Sequence, residues 1–165
     1  MFSYCILNAP IGSLYILEEE EKLSQIFFDI HELNRFCKKK DVHQVETPLL
    51  KETMNQLREY FEGKRTQFDL PLKIEGTSFQ QRVWNTLKSI PYGETWSYQD
   101  VANHIEKPKA VRAIGQANKR NPLPIVIPCH RVIGKNHQLV GYAGNQTDKK
   151  AYLLTLEQAP FKKSM

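Results

Sequence analysis

The residues best suited to chemistry lie together near position 130. A cysteine and a histidine are adjacent, Cys129-His130, and Arg131 follows at once. A thiol attacks as its thiolate, so it needs a neighbour that lowers its pKa or takes its proton, and histidine is the usual partner. Arg131 adds a second positive group beside the pair. A plainer reading is open as well: free cysteine is among the most buried residue types, and Cys129 could be inert with His130 incidental. A single cysteine becomes a nucleophile candidate only in context. Here the context is Asn121-Pro-Leu-Pro-Ile-Val-Ile-Pro-Cys-His-Arg-Val132, in which prolines bracket Ile125-Val126-Ile127. A β-branched run with hard stops on both sides predicts a brief buried strand ending where the thiol begins.

The bulk properties bound what such a thiol could serve. With 165 residues, 41% hydrophobic and 25% charged, the chain has the make-up of a soluble globular protein of one domain or two small ones. No apolar run approaches the roughly 20 residues of a membrane span. The opening Met-Phe-Ser-Tyr-Cys lacks the basic and apolar regions of a signal peptide. Cysteines 5, 37 and 129 form no disulfide framework and fit a reducing cytoplasm, the expected location. No Cys/His cluster has structural-zinc spacing, so no metal is assigned and no cofactor is expected. Residues 1–76 carry 10 Lys and Arg against 13 Asp and Glu, whereas residues 77–165 carry 13 against 5. A basic C-terminal half suits a polyanionic partner, most simply nucleic acid, although a basic solvated surface explains the split equally well.

The elements that must position the thiol follow from the pattern of the chain. Tyr4 and Ile6, then Leu14, Tyr15 and Ile16, predict a hairpin across Ala9-Pro-Ile-Gly12. Leu23, Ile26, Phe27 and Phe28 predict a third strand after the acidic turn Glu18–Glu21. His31 to Lys40 reads as polar and basic, with its lysines exposed. Thr47-Pro48 opens a helix with Leu50, Met54, Leu57 and Phe61 on one face and Gly63 as its stop. Phe68, Leu70 and Leu72 alternate as a further strand. This first half, residues 1–75, predicts a small α/β domain without visible chemistry, and Cys5 and Cys37 read as structural or incidental.

The charge balance changes sign near Gly76, which sets the second domain at residues 76–165. Ser78-x-x-Gln81 has capping-box spacing ahead of a helix burying Phe79, Val83, Leu87 and Ile90. Ser97-x-x-Asp100 opens a second helix with Val101, Ala102 and Ile105 inward. After Lys107-Pro108 a third helix runs from Lys109 to Arg120, with Val111, Ile114, Ala117 and Asn118 along one side. Two short helices so closely joined have helix-turn-helix proportions. The second carries Lys109, Arg112, Lys119 and Arg120 among small Ala110, Ala113 and Gly115, which suits a nucleic-acid-reading helix; the small residues would also suit tight helix packing. Gly141-Tyr-Ala-Gly-Asn145 is a glycine-punctuated loop, either a plain turn or a place where a ligand meets backbone and Tyr142. A last helix opens at Thr147-Asp148, with Tyr152, Leu153 and Leu156 as apolar positions. Glu157 falls near its end, where the helix dipole disfavours a carboxylate, so it either faces solvent or has a partner such as a histidine.

Taken together these residues resemble a family. Asn121-Pro-Leu-Pro-Ile-Val-Ile-Pro-Cys-His-Arg-Val132 is similar to the active-site signature of the O6-alkylguanine-DNA alkyltransferases, or methylated-DNA–protein-cysteine methyltransferases. Phe79-Gln-Gln-Arg-Val-Trp84, Pro91-Tyr-Gly-Glu-Thr-Trp-Ser-Tyr98, Ala110-Val-Arg-Ala-Ile-Gly115, Gly141-Tyr-Ala-Gly144 and Lys150-Ala-Tyr-Leu-Leu-Thr-Leu-Glu157 agree in order and spacing. The resemblance is strong over residues 76–158. Residues 1–75 share only size and a strand-rich pattern.

The resemblance implies an α/β (α+β) protein: a ribonuclease-H-like N-terminal domain, then a winged-helix-like helix-turn-helix domain carrying the active site. It implies a monomer that binds double-stranded DNA, flips an O6-alkylguanine out of the stack and takes the alkyl group irreversibly onto Cys129, with O4-alkylthymine as a further substrate. Flipping is required because a thiolate cannot reach O6 inside the duplex. By resemblance His130 is the base, acting through a water, Glu157 holds the imidazole, and Asn121 ties the active-site turn to the preceding helix. Arg112 fills the gap left by the base, Tyr98 helps rotate the target out, and Ala110, Ala113 and Gly115 suit a minor groove. Tyr142, Ala143 and Val132 line the guanine pocket. Asn145 stands where many members carry a second glycine, one extra residue lies between Tyr142 and Glu157, and the zinc site of some members does not carry over. The alternative is a non-enzymatic protein that recognises alkylguanine in DNA, although such relatives replace the cysteine. A cysteine hydrolase would leave the basic helical pair without a purpose.

Overall fold

The computed structural model describes residues 1–134, 138 and 147–161. The chain divides into two compact units, Met1–Ile74 and Glu75–Met165.

The first unit is built on a meander of β1 (Phe2–Ala9), β2 (Gly12–Glu19) and β3 (Lys22–Phe27). Ala9 pairs with Gly12, leaving Pro10-Ile11 as a two-residue loop. The expected acidic turn is equally tight: Glu20 and Glu21 both have positive φ, 54° and 63°, as a primed hairpin turn requires. Strand alternation puts Cys5, Leu7, Leu14 and Ile16 in the core and leaves Ile6 exposed, and a register shift between β2 and β3 lets both Leu23 and Ile26 be buried. Helix α2 (Pro48–Phe61) starts as expected, with Thr47 Oγ1 accepting from the Leu50 amide at 3.1 Å, and ends before Gly63, whose φ of 75° allows the chain to turn away.

Two elements of this unit carry little sequence signal. Helix α1 (Ile30–Cys37) is capped by the Asp29 carboxylate, which accepts from the His31 amide at 2.8 Å. It buries only Leu33, so the periodic signal is a single residue deep. Strand β4 (Val42–Gln44) adds to β1 in parallel, completing the sheet order β3-β2-β1-β4. The expected strand at Phe68–Leu72 does not form. It reduces to one bridge, Leu23 to Leu72, because Pro71 has no amide to donate and interrupts the ladder. Phe68 packs against the buried Tyr60 instead, with ring centres 5.5 Å apart.

The second unit opens with α3 (Ser78–Leu87). Its cap is Thr77, one residue earlier than expected: Thr77 Oγ1 accepts from the Gln80 amide at 3.1 Å, and the Thr77 amide donates to Gln80 Oε1 at 3.0 Å. Both frames read Thr/Ser-x-x-Gln, but the Gln81 amide group is already committed to the Gly76 carbonyl at 3.1 Å. Trp84 joins Val83 and Leu87 on the buried face, and its Nε1 donates to Ala117 O at 2.9 Å. Strand β5 (Trp96–Ser97) leads into α4 (Tyr98–His104), where the reciprocal Ser97–Asp100 cap forms as expected. Helix α5 (Val111–Lys119) is slightly shorter than the expected Lys109–Arg120. A short β6 (Val132–Ile133) pairs in parallel with β5, and α6 (Thr147–Leu156) follows. Tyr152, expected among the inward positions of α6, is 41% exposed; Leu154 takes that place. No helix among the described residues is long and apolar enough to cross a membrane.

Candidate active site

The stretch between α5 and Cys129 is not the expected strand. Ile125 and Val126 form a turn, and Pro124 and Ile127 make only an isolated bridge. Local hydrogen bonds take the place of a ladder. The Asn121 side chain grips the turn from both sides: Nδ2 donates to Ile127 O at 2.8 Å, and Oδ1 accepts from the Leu123 amide at 3.0 Å. The Ile127 amide donates to Leu123 O at 2.8 Å. Ile125 lies at φ 77°, where a β-branched residue is an outlier. Such a conformation costs about 1–3 kcal/mol and persists only when its surroundings over-determine it. Ile125 is 1% exposed, so side-chain burial supplies the opposing term.

Cys129–Arg131 form one 3-10 turn rather than an extended segment. Successive side chains then point about 120° apart, so Cys129 and His130 still diverge. All three are buried, as is Val132 on β6. The Cys129 amide donates to Ile127 O at 2.7 Å, and Asn118 Nδ2 reaches Cys129 O at 3.4 Å. The turn is therefore tied to α5 by Asn118 and to the loop after α5 by Asn121.

Glu157, just past α6, is 2% exposed and does not face solvent. Its Oε2 lies 2.7 Å from His130 Nε2. A second cation shares the carboxylate: Arg131 Nε donates to Oε1 at 2.8 Å and Nη2 to Oε2 at 3.2 Å. Arg131 Nη1 also donates to Ile90 O at 2.7 Å. Burial alone would raise the Glu157 carboxyl, but His130 and Arg131 together hold it at about 2. An ionised carboxylate only accepts, so Nε2 of His130 carries the proton and Nδ1 is the basic nitrogen. Burial lowers the His130 pKa, with Arg131 and Lys150 adding to that and Glu157 opposing it, so the imidazole is neutral near pH 7.

The thiol is also displaced. Burial raises Cys129 to about 11, against the lowering effects of Asn121 and Lys150. Lys150 was not singled out from the sequence as a site residue. It is fully buried on α6, and burial brings it down to about 8 although Cys129 pulls it up. Its signal was present in the spacing: Lys150, Leu153, Leu154 and Glu157 fall at i, i+3, i+4 and i+7, the inward face of one helix. A lysine in that stripe must have a reason to be there. At rest the thiol keeps its proton, and it sits where a nearby base and a buried ammonium would favour its loss.

The nucleic-acid candidates lie on α4 and α5. Arg112 and Ala113 are exposed; Ala110 and Gly115 are half-buried. A Cβ on Gly115 would stand 4.0 Å from the Tyr98 ring, an ordinary contact, so Tyr98 lies beside α5 at this position. Burial raises the Tyr98 hydroxyl to about 12. Lys109, Lys119 and Arg120 are exposed, as the basic-helix reading expects. Tyr142, Ala143 and Asn145 lie outside the described residues.

Comparison with known proteins shows what the chain as a whole is similar to. The family model for the 6-O-methylguanine DNA methyltransferase ribonuclease-like domain matches residues 3–74, and that for the DNA binding domain of the same proteins matches residues 78–159. The constitutive methylated-DNA–protein-cysteine methyltransferase of Bacillus subtilis is 49% identical, over 96% of this chain and 97% of its own length. The methylated-DNA–protein-cysteine methyltransferase of Methanosarcina acetivorans is 43% identical, over 93% and 97%. The crystal structure of Mycobacterium tuberculosis OGT in complex with DNA superposes with a TM-score of 0.84 at 39% identity, covering 96% of this chain and 95% of that one. With both domain models matched in order and relatives this similar along nearly their whole length, the chain belongs to the methylated-DNA–protein-cysteine methyltransferase family.

Proposed function

We propose that this protein binds duplex DNA and repairs O6-alkylguanine by transferring the alkyl group irreversibly to its own Cys129. The observation that carries the reading is the buried constellation of Cys129, His130 and Glu157, with an ionised carboxylate 2.7 Å from the imidazole. Membership of a family of DNA-repair methyltransferases supports the reaction type. The division of labour among residues is our assignment.

Glu157 accepts from Nε2–H of His130 and leaves Nδ1 as base. A water between Nδ1 and the thiol carries the Cys129 proton away, because the two side chains diverge on the 3-10 turn. The sulfur then attacks the alkyl carbon: the S–C bond forms as the C–O6 bond breaks, and the electron pair leaves with guanine. The thiol proton ends on guanine, so the products are an S-alkylcysteine and an intact base. Lys150 faces the developing thiolate and favours it by charge. A thioether has no good leaving group, which makes each molecule act once. Asn121 holds the turn that presents Cys129. Arg112, exposed on α5, fills the gap left by the flipped base, with Tyr98 and the small Ala110, Ala113 and Gly115 shaping the approach to the groove. One chain carries Cys129, His130 and Glu157, so no second copy is needed to complete the relay.

The test is the mass of the intact protein after incubation with a duplex carrying one O6-methylguanine, followed by peptide mapping. One methyl group on Cys129, saturating at one per chain, is the expected result. Tight binding to the damaged duplex without any gain in mass would make the protein a damage-recognition factor instead.

A further inference from the structure

Glu157 is shared, and the sharing is unequal. It makes one contact with the imidazole of His130, at 2.7 Å, and two with the guanidinium of Arg131, at 2.8 and 3.2 Å. Arg131 is itself fixed at two further points. Its Nη1 donates to the backbone of Ile90 at 2.7 Å, and its Cζ lies 5.6 Å from the centre of the Tyr92 ring. The whole cluster is buried: Arg131 is 7% exposed, Glu157 2% and His130 0%.

A buried carboxylate paired with histidine alone would stabilise the imidazolium, since opposite charges attract strongly where water is scarce. Such a carboxylate works against the burial that lowers the imidazole's pKa and makes the histidine a poorer proton acceptor at neutral pH. A full positive charge on the same carboxylate removes that attraction. A planar fork suits the task better than an ammonium because it fixes both oxygens at once. We propose that Arg131 is a positioning residue of the acceptor relay: its guanidinium orients Glu157 toward His130 and cancels the carboxylate's charge, so that His130 stays neutral and able to take the thiol proton at neutral pH. This inference rests on the reading of Cys129, His130 and Glu157 as the alkyl-acceptor relay.

Among the described residues, few other groups act on His130 or on its carboxylate partner. Lys150, from α6, acts in the same direction as Arg131 by disfavouring the imidazolium. Cys129 is protonated at rest and adds no charge. Tyr92, from the loop after α3, is neutral, its hydroxyl raised by burial and by Glu157. Among the described residues Arg131 is the cation that touches the carboxylate itself, so its loss changes directly what His130 senses.

The experiment compares wild type with Arg131→Gln and Arg131→Lys in two readouts. One is the rate of methyl transfer from an O6-methylguanine duplex across pH; the other is the titration of the His130 imidazole by NMR in unreacted protein. Arg131→Gln is expected to raise the acid limb of the rate profile and the His130 titration together by about one pH unit, which is about tenfold in rate on the acid side, with recovery toward wild type at alkaline pH. Arg131→Lys, which keeps the charge, is expected to rescue most of that shift. An equal loss at every pH with an unmoved His130 titration would overturn the proposal and leave Arg131 a purely structural residue. Should Arg131→Gln not fold, the pair Arg131→Gln/Glu157→Gln removes both charges. His130 is then expected to titrate no higher than in wild type, and a higher titration overturns the proposal. Because the NMR readout needs no transfer, a wild-type protein that never alkylates Cys129 would sink the acceptor reading while the titrations still decide the role of Arg131.

Discussion

Cys5 in the first unit and Cys129 in the second are both buried thiols, 2% and 1% exposed. Burial raises both, to about 12 and about 11. Judged by burial alone neither should react. The difference lies in what surrounds them. Cys5 sits on β1 with Glu46 and Glu18 raising it further, and only Arg58 opposing. Cys129 has Asn121 and Lys150 lowering it, and a neutral histidine follows it in a turn. Low dielectric magnifies whichever charges are present. It makes Cys5 more inert and makes the surroundings of Cys129 more effective once the proton can leave. A buried thiol is thus a nucleophile only where its neighbours favour the thiolate and a base can take the proton.

The sharpest way to break this comparison is to exchange the thiols' fates. Cys129→Ala should abolish alkyl transfer to the protein while DNA binding remains, and Cys5→Ala should leave transfer unchanged; intact-protein mass reads both. Alkyl found on Cys5 in the Cys129→Ala variant, or transfer lost in Cys5→Ala, would refute the contrast.

Glu157→Gln should slow transfer by about a hundredfold, because it replaces a charged group that can only accept with a neutral amide that can also donate and so no longer fixes the His130 tautomer. It should also change acid stability. The Glu157 carboxyl is held at about 2 in the fold against an ordinary 4.5. A depressed carboxyl contributes stability that is present above pH 4.5 and lost as pH falls toward 2, on the order of 2–3 kcal/mol. Denaturant titrations at pH 6 and pH 3 should therefore differ by less in the variant than in wild type; equal differences would show that Glu157 contributes nothing to acid unfolding.

Lys150→Met tests the favourable charge. Transfer at pH 7 should fall about tenfold, in line with loss of roughly one pKa unit of thiolate stabilisation. Lys150 is held near 8 against 10.5, so the fold disfavours its charged form, and that cost is fully present below pH 8 and disappears as pH rises toward 10.5. The variant should be more stable than wild type at pH 7 by about 1–3 kcal/mol, a stability gain at the expense of activity. A slower and less stable variant would mean that Lys150 is there for packing.

The smallest expected effect concerns the turn that presents Cys129. Ile125→Gly relieves about 1–3 kcal/mol of backbone strain and loses about 1.5–3 kcal/mol of burial, so the two nearly cancel. Ile127→Gly, equally buried but outside the left-handed region, should cost at least 3 kcal/mol. Chemical denaturation of the two variants decides it, and equal losses would argue against strain at Ile125.

The sequence by itself carried β1 to β3 of the first unit, the main helices and the Ser97 cap, because period-2 and period-3.6 patterns and capping pairs are local. It carried the candidates too: the adjacency of Cys129 and His130, an oddly placed Glu157, and a basic small-residue helix in the second unit. The tertiary structure decided the rest. Helix α1 and strand β4 form because neighbours cover or pair them, with one buried residue and three paired ones as their own contribution. Ile125–Ile127 reads as a strand but folds as a turn, since the Asn121 side chain takes the backbone bonds a neighbouring strand would have made. The convergence of Lys150, Arg131 and Glu157 on the Cys129–His130 turn spans 29 residues of chain from first to last. Such long-range charge pairing leaves only a faint trace in sequence, because it depends on where α6 packs; its full expression, a buried carboxylate shared between a guanidinium and an imidazole, exists only in the fold.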